Sequence, residues 1–316
     1  MPTGSISHDL KVQVGSLSLA TPVMPASGCF GPELHTVMDL SRLGAVVTKT
    51  IFRDTRSGNR QPRLAETPRG MLNAVGIPSP GLARFRAEVL PAYRSIGVPV
   101  IVSIGGLSVS EYLDVAAGLA DEEPDAFEIN VSCPNLEHGG LDIGTDPAAI
   151  ARITAGVRAR GGDRPVIVKM TPNVTSIHDI ARAAEDAGAD ALTVANTFVG
   201  TAIDLAGRRP KLGNVTGGVS GPAIKPLTLR LVLETVRAVR IPIIGCGGIS
   251  TAEDAAEFLV AGASAVQVGT ATFTRPTAMT EIIDELPDVL DRLGVAAVRE
   301  LIGSLVSSHD TRQGHA

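Results

Sequence analysis

Ala187-Gly188-Ala189-Asp190-Ala191-Leu192-Thr193-Val194-Ala195-Asn196-Thr197 reads as a helix exit, a strand and a polar stop. The glycine behind a helix-like run is placed to cap that helix in a left-handed conformation. The apolar residues after it have strand length and lack polar alternation, the pattern of a parallel strand buried on both faces. Leu43-Gly44-Ala45-Val46-Val47-Thr48-Lys49-Thr50 and Ala261-Gly262-Ala263-Ser264-Ala265-Val266-Gln267-Val268-Gly269-Thr270 are two further copies. Working outward, eight such runs appear, near residues 21–24, 45–49, 98–103, 126–130, 166–170, 191–195, 242–246 and 265–268. Helical patterns at 110–120, 147–160, 176–187, 223–239 and 251–261 separate most of them. Eight strand–helix alternations predict an α/β fold, a (β/α)8 barrel of the TIM type. A doubly wound open sheet is the alternative, but no Gly-x-Gly-x-x-Gly fingerprint follows the first strand.

The chain has 316 residues, 44% hydrophobic, with 34 glycines. That suffices for one large α/β domain, expected over residues 1–306, with a polar, frayed tail at 307–316. The net charge of −5 comes without a Lys/Arg block or interleaved aromatics, which argues against nucleic-acid binding. Cys29, Cys133 and Cys246 are odd in number and far apart. They fit neither a disulfide framework nor a zinc site and suit a reducing cytoplasm, so no metal ligands are assigned. The N-terminus has no apolar core of a signal peptide, and no apolar run reaches the roughly 18 residues of a membrane span. Residues 10–14 and 17–19 flank Gly15-Ser16 as a hairpin able to plug the barrel bottom. Two long connections, 51–80 and 198–220, read as functional loops over the C-terminal mouth.

Chemistry concentrates where strands end. Glu128-Ile129-Asn130-Val131-Ser132-Cys133-Pro134-Asn135 is a buried-type strand stopped by proline, which leaves an amide and a thiol at its carboxyl end. Only five lysines accompany 23 arginines, yet Lys49 and Lys169 fall at the ends of the second and fifth strands. Either would neutralise an anion or donate to one, unless it merely snorkels at the rim. Gly245-Cys246-Gly247-Gly248 and Val268-Gly269-Thr270 follow the seventh and eighth strands, where barrels commonly bind phosphate on exposed backbone N–H groups. Asn73, Asn130 and Asn196 offer donors and acceptors to a small planar ligand, although asparagines also serve as plain turn formers. Cys133 is the thiol placed for acid–base or nucleophilic work. Cys29 and Cys246 read as packing residues, and His138 as a solvated loop residue.

These stretches resemble the class 1 dihydroorotate dehydrogenases, and more narrowly the NAD-linked two-subunit subclass, class 1B. The likeness spans residues 8–305. It is carried by Pro25-Ala26-Ser27-Gly28-Cys29-Phe30-Gly31, Gly70-Met71-Leu72-Asn73-Ala74-Val75-Gly76-Ile77, the 130–135 block with Gly139-Gly140, Val168-Lys169-Met170-Thr171-Pro172-Asn173, Asn196-Thr197, and Asn214-Val215-Thr216-Gly217-Gly218-Val219-Ser220-Gly221-Pro222. The resemblance implies one FMN per chain, held by Ser27, Lys49, Thr50, Ser103, Asn130, Lys169, Ala195, Gly221, Gly247, Gly248, Gly269 and Thr270. It implies substrate contacts at Lys49, Asn73, Ala74, Val75, Gly76, Ile77, Asn130, Asn196 and Thr197, and Cys133 as catalytic base. Ser103 stands where the family usually has Asn, which puts that flavin contact in question. The implied reaction is oxidation of dihydroorotate to orotate in pyrimidine biosynthesis: a C5 proton to Cys133 and a C6 hydride to flavin N5. The implied assembly is a homodimer, or a heterotetramer with a partner subunit carrying FAD and a 2Fe–2S cluster that reduces NAD, in the cytoplasm. A fumarate-using class 1A enzyme and a dihydropyrimidine dehydrogenase-like enzyme share these features. A flavin-free Schiff-base lyase or aldolase on Lys49 or Lys169 is the alternative from another class.

Overall fold

The eight apolar runs lie side by side in one parallel sheet in this computed structural model, which describes residues 8–132 and 143–306. In chain order the barrel strands are Val23–Pro25, Val46–Val47, Val100–Ile104, Ala126–Asn130, Val166–Lys169, Ala191–Val194, Ile243–Cys246 and Ala265–Val268. Each pairs in parallel with its neighbour, and the first pairs with the eighth. The seam between the first and second strands is bridged where Gly44 N donates to Val23 O at 2.9 Å. This is the (β/α)8 architecture, with helices such as Val109–Gly118, Pro147–Gly161, Ile177–Asp186, Lys225–Ala238 and Ala252–Val260 returning the chain to the next strand. Every residue of the third to eighth strands is buried, which is why these runs show no polar alternation.

The three Gly-Ala copies do not share one reason. Gly188 and Gly262 adopt φ of +93° and +110°, as a left-handed helix exit requires. Gly44 does not. A short 3-10 turn, Leu40–Arg42, precedes it, and a Cβ there would run into Thr21 O. The glycine serves close approach of two backbones at the seam.

The hairpin forms as expected, Val12–Val14 against Leu17–Leu19. Val12, Val14, Leu17 and Leu19 are buried, and Gly15 packs against Asp190, just ahead of the sixth strand, so the hairpin closes the N-terminal end. The two long connections are a correction. They are not plain loops: strands Phe198–Gly200 and Gly217–Ser220 join Gly70–Asn73 and Leu64–Thr67 in one antiparallel sheet. Glycine and proline break their alternation, and each hairpin finds its partner more than a hundred residues away, so no local pattern announces the sheet.

No helix among the described residues is long and apolar enough to cross a membrane. Cys133, His138, Gly139 and Gly140 lie outside the described residues, as does the tail expected at 307–316.

Candidate active site

The strand ends and the antiparallel sheet enclose a cavity of about 750 Å³ at the C-terminal mouth, a size that takes a cofactor and a small substrate. Ser27, Lys49, Thr50, Asn130, Lys169, Ala195, Gly221, Gly247, Gly248, Gly269 and Thr270 all line it. So do Asn73, Val75, Gly76, Ile77, Asn196 and Thr197. Two expected residues do not. Ala74 is fully buried in a small apolar cluster with Leu72 and Leu212. Ser103 is fully buried behind Thr50, with the two hydroxyl oxygens 2.9 Å apart. The serine therefore reaches the cavity only through Thr50.

A hydrogen-bonded chain crosses the floor. Asn130 Nδ2 donates to Thr50 Oγ1 at 2.9 Å, and the Ser132 hydroxyl donates to Asn130 Oδ1 at 2.9 Å. Asn196 Nδ2 donates in turn to Ser132 Oγ at 2.8 Å, while its Oδ1 accepts from Thr197 N at 2.8 Å. Ser27 joins from the other side, donating to Thr48 O at 2.9 Å with its oxygen 3.2 Å from Thr50 Oγ1. Each amide is thus held in one orientation, because both of its ends are occupied. Ser132 is the residue missed from sequence. Its signal was there, since it sits between the amide and the thiol at the strand end, yet only tertiary contact joins it to Asn196.

Two lysines, with Arg69 and Arg275, give the cavity its cations. Lys49 is half-buried, and no acceptor for its ammonium occurs among the described residues. Burial first, then the charge of Arg63, holds its pKa below the usual lysine value. Lys169 is buried at the end of the fifth strand, and its Nζ donates to Gln267 Oε1 at 2.9 Å. Cys29 and Cys246 also front the cavity, beyond their expected packing role. Burial pushes the Cys29 thiol up to about 11 and raises that of Cys246, so neither is a ready nucleophile.

The glycine loops suit a phosphate. Gly247 and Gly248 have φ of +124° and +84°, and a Cβ on Gly248 would come within 2.6 Å of Lys225 N. No acceptor among the described residues takes the N–H groups of Gly247, Gly248, Gly269 or Thr270. Backbone donors left open on two adjacent strand ends form a ready anion cradle. The loop is braced from behind: Asp254 accepts from Ser250 N at 2.8 Å and Thr251 N at 3.1 Å, and Lys225 Nζ donates to Asp254 at 2.7 Å. A phosphate-bearing flavin would fit this donor set: the open N–H groups of the glycine loops suit its charge, and the floor offers polar groups to a ring.

The family model described as dihydroorotate dehydrogenase matches residues 9–290. A relative in Trichlorobacter lovleyi, named dihydroorotate dehydrogenase B (NAD(+)), catalytic subunit, is 49% identical over 299 residues, covering 94% of this chain and 98% of its own length. A relative of the same name in Geobacillus kaustophilus is 49% identical over 298 residues, covering 93% and 95%. One in Alkaliphilus oremlandii is 45% identical over 300 residues, covering 94% and 99%.

Proposed function

Because the chain belongs to the dihydroorotate dehydrogenase family, we propose that it oxidises dihydroorotate to orotate with FMN as its resident cofactor, as the catalytic subunit of an NAD-linked enzyme. The observation that carries this reading is a mouth that joins a phosphate cradle, a floor of oriented amides and a lysine with no acceptor among the described residues in one cavity. Bound there, FMN would supply the acceptor for the C6 hydride, which carries both electrons of the oxidation. Gly247, Gly248, Gly269 and Thr270 would hold its phosphate, and Lys169, Thr50 and Asn130 would contact its ring.

The chain's own residues do the rest. Lys49 pairs with the substrate carboxylate, a charge that uracil and thymine lack, which favours dihydroorotate over neutral dihydropyrimidines. Asn73, Asn130 and Asn196 read the alternating C=O and N–H groups of the ring. Holding the substrate in one pose against the cofactor lowers the barrier through orientation. Cys133, which the resemblance marks as the base, takes the proton from C5, made acidic by the adjacent carbonyl. Ser132, the residue before Cys133 in sequence, hydrogen-bonds with both Asn130 and Asn196, which supports a base at the next position. The subclass rests on the relatives' names and on the sequence at Val131-Ser132 and Gly139-Gly140. NAD reduction then belongs to a partner with FAD and an iron–sulfur cluster, because three cysteines are too few for the usual four ligands. A cytoplasmic location and a homodimeric catalytic core complete the proposal.

Anaerobic stopped-flow mixing of the FMN-loaded protein with dihydroorotate tests it. Rapid bleaching of the flavin band is expected. A flavoprotein bleached only by dihydrouracil would move the substrate, and a protein that takes up no flavin would overturn the reading in favour of Schiff-base chemistry.

A further inference from the structure

Glu128 has no part in the chemistry above, yet it sits inside the barrel. In Ala126-Phe127-Glu128-Ile129-Asn130 every residue is buried, and a carboxyl in such a run demands partners. Its Oε2 accepts from Gln267 Nε2 at 2.6 Å and from Thr193 Oγ1 at 3.0 Å, while Oε1 has no hydrogen-bond partner among the described residues. Gln267 turns its other end outward, where its Oε1 accepts from Lys169 Nζ at 2.9 Å. Glu128, Thr193 and Gln267 stand on the fourth, sixth and eighth strands, alternate strands that form one layer of the barrel interior. Lys169, on the fifth, reaches the cavity from the layer above. One amide therefore ties a carboxyl beneath the floor to the ammonium in it. An amide suits this task because it presents N–H to the carboxyl and C=O to the ammonium, and with both ends engaged it cannot flip.

The ionisable groups facing Lys169 are Cys246, Glu128 and Cys29. Burial works against its charge, and these neighbours outweigh burial, leaving Lys169 above the usual lysine range. Both thiols are themselves pushed up by burial, which leaves Glu128 as the carboxyl tied to Lys169, through Gln267.

We propose that Glu128, acting through Gln267, is a positioning residue that keeps Lys169 protonated and aimed into the cavity, giving the cofactor a fixed positive charge at the barrel floor. The inference rests on the flavin reading for its ligand but not for the tie itself. A cation fixed there favours a ligand that gains negative charge on reduction, so it tightens flavin binding and raises the flavin midpoint potential.

The test has two arms. With only five lysines in the chain, the labelled Lys169 Cε resonance can be followed by NMR in cofactor-free protein. Wild type should stay protonated beyond about pH 10, past the range of free lysine, and Glu128→Gln should titrate well below wild type. An unchanged titration overturns the proposal. In the second arm, FMN titration and spectroelectrochemistry compare wild type, Glu128→Gln, Lys169→Met and the double variant. Glu128→Gln should weaken FMN roughly tenfold or more, the effect of losing a charge-assisted bond, and shift the midpoint negative. The double variant should be no worse than Lys169→Met alone. Losses that add, or a Glu128→Gln protein with wild-type affinity and potential, refute the relay. If Glu128→Gln does not fold, Gln267→Met breaks the same tie and must show the same signature. Wild type that binds no FMN sinks the flavin reading, while the NMR arm still judges the tie.

Discussion

At the scale of single residues, charge state decides what the site can hold. Lys49 carries an ammonium with its pKa lowered by burial and Arg63. Only the protonated form pairs with a carboxylate, so dihydroorotate affinity should be full at neutral pH and fall as pH rises through that lowered value, below the 10.5 of free lysine. Steady-state KM against pH reads this directly. Lys49→Met should raise KM roughly 10- to 100-fold and flatten its alkaline limb, as expected for a lost charge-assisted bond. Cys133→Ala should keep FMN and substrate binding but lose about 10²–10⁴-fold in kcat, the usual worth of a positioned base. Cys133→Ser should recover part of that at high pH. Turnover like wild type in the alanine variant would remove Cys133 from its role. Ser103 is a case where residue identity misleads. Its contact with Thr50 makes it a support for the floor rather than a wall of it.

At the scale of elements, the phosphate loop depends on the helix behind it. Thr251 and Asp254 form a capping box at the start of Ala252–Val260, and the same carboxylate takes Lys225. Burial raises the Asp254 pKa, but Lys225, Ser250 and the backbone donors outweigh it, so the folded value lies below 3.8. A carboxyl depressed on folding contributes stability above its unfolded pKa and loses it as pH falls through the folded one. Thermal unfolding of Asp254→Asn should thus differ from wild type most at neutral pH, by about 1–2 kcal/mol for the cap, and converge with it below pH 3.8, the ordinary aspartate value. Equal destabilisation at every pH would deny the charge a part. Gly248→Ala places a Cβ 2.6 Å from Lys225 N at φ of +84°. About 1–3 kcal/mol of strain is expected, with FMN affinity lost alongside stability.

At the scale of the whole molecule, the relatives are named catalytic subunits, and the proposed reading gives this chain a partner. With three cysteines it cannot ligate an iron–sulfur cluster in the usual way. The FMN-loaded chain alone should therefore be reduced by dihydroorotate yet pass no electrons to NAD. Adding an FAD/iron–sulfur subunit should restore NADH formation, followed by absorbance. NAD reduction by the isolated chain would reject the two-subunit reading, and fumarate reduction would place the chain with class 1A.

Sequence alone determined the barrel, because eight runs of buried-strand character separated by helical patterns leave few ways to bury both strand faces. It also marked Lys49, Asn130, Lys169 and Asn196, since a polar residue that ends a buried strand has only the mouth to point into. The tertiary structure decided what depends on residues remote in the chain. Gly217–Ser220 pairs with Gly70–Asn73 to build a wall that neither segment shows by itself. Ser132 reaches Asn196 across 64 positions, and Gln267 reaches Glu128 across 139. The Glu128 carboxyl was visible in sequence as a charge inside an apolar strand, but its partner was not. Hydrogen-bond partners in a barrel interior are set by strand shear and layer, which place alternate strands together irrespective of their distance along the chain.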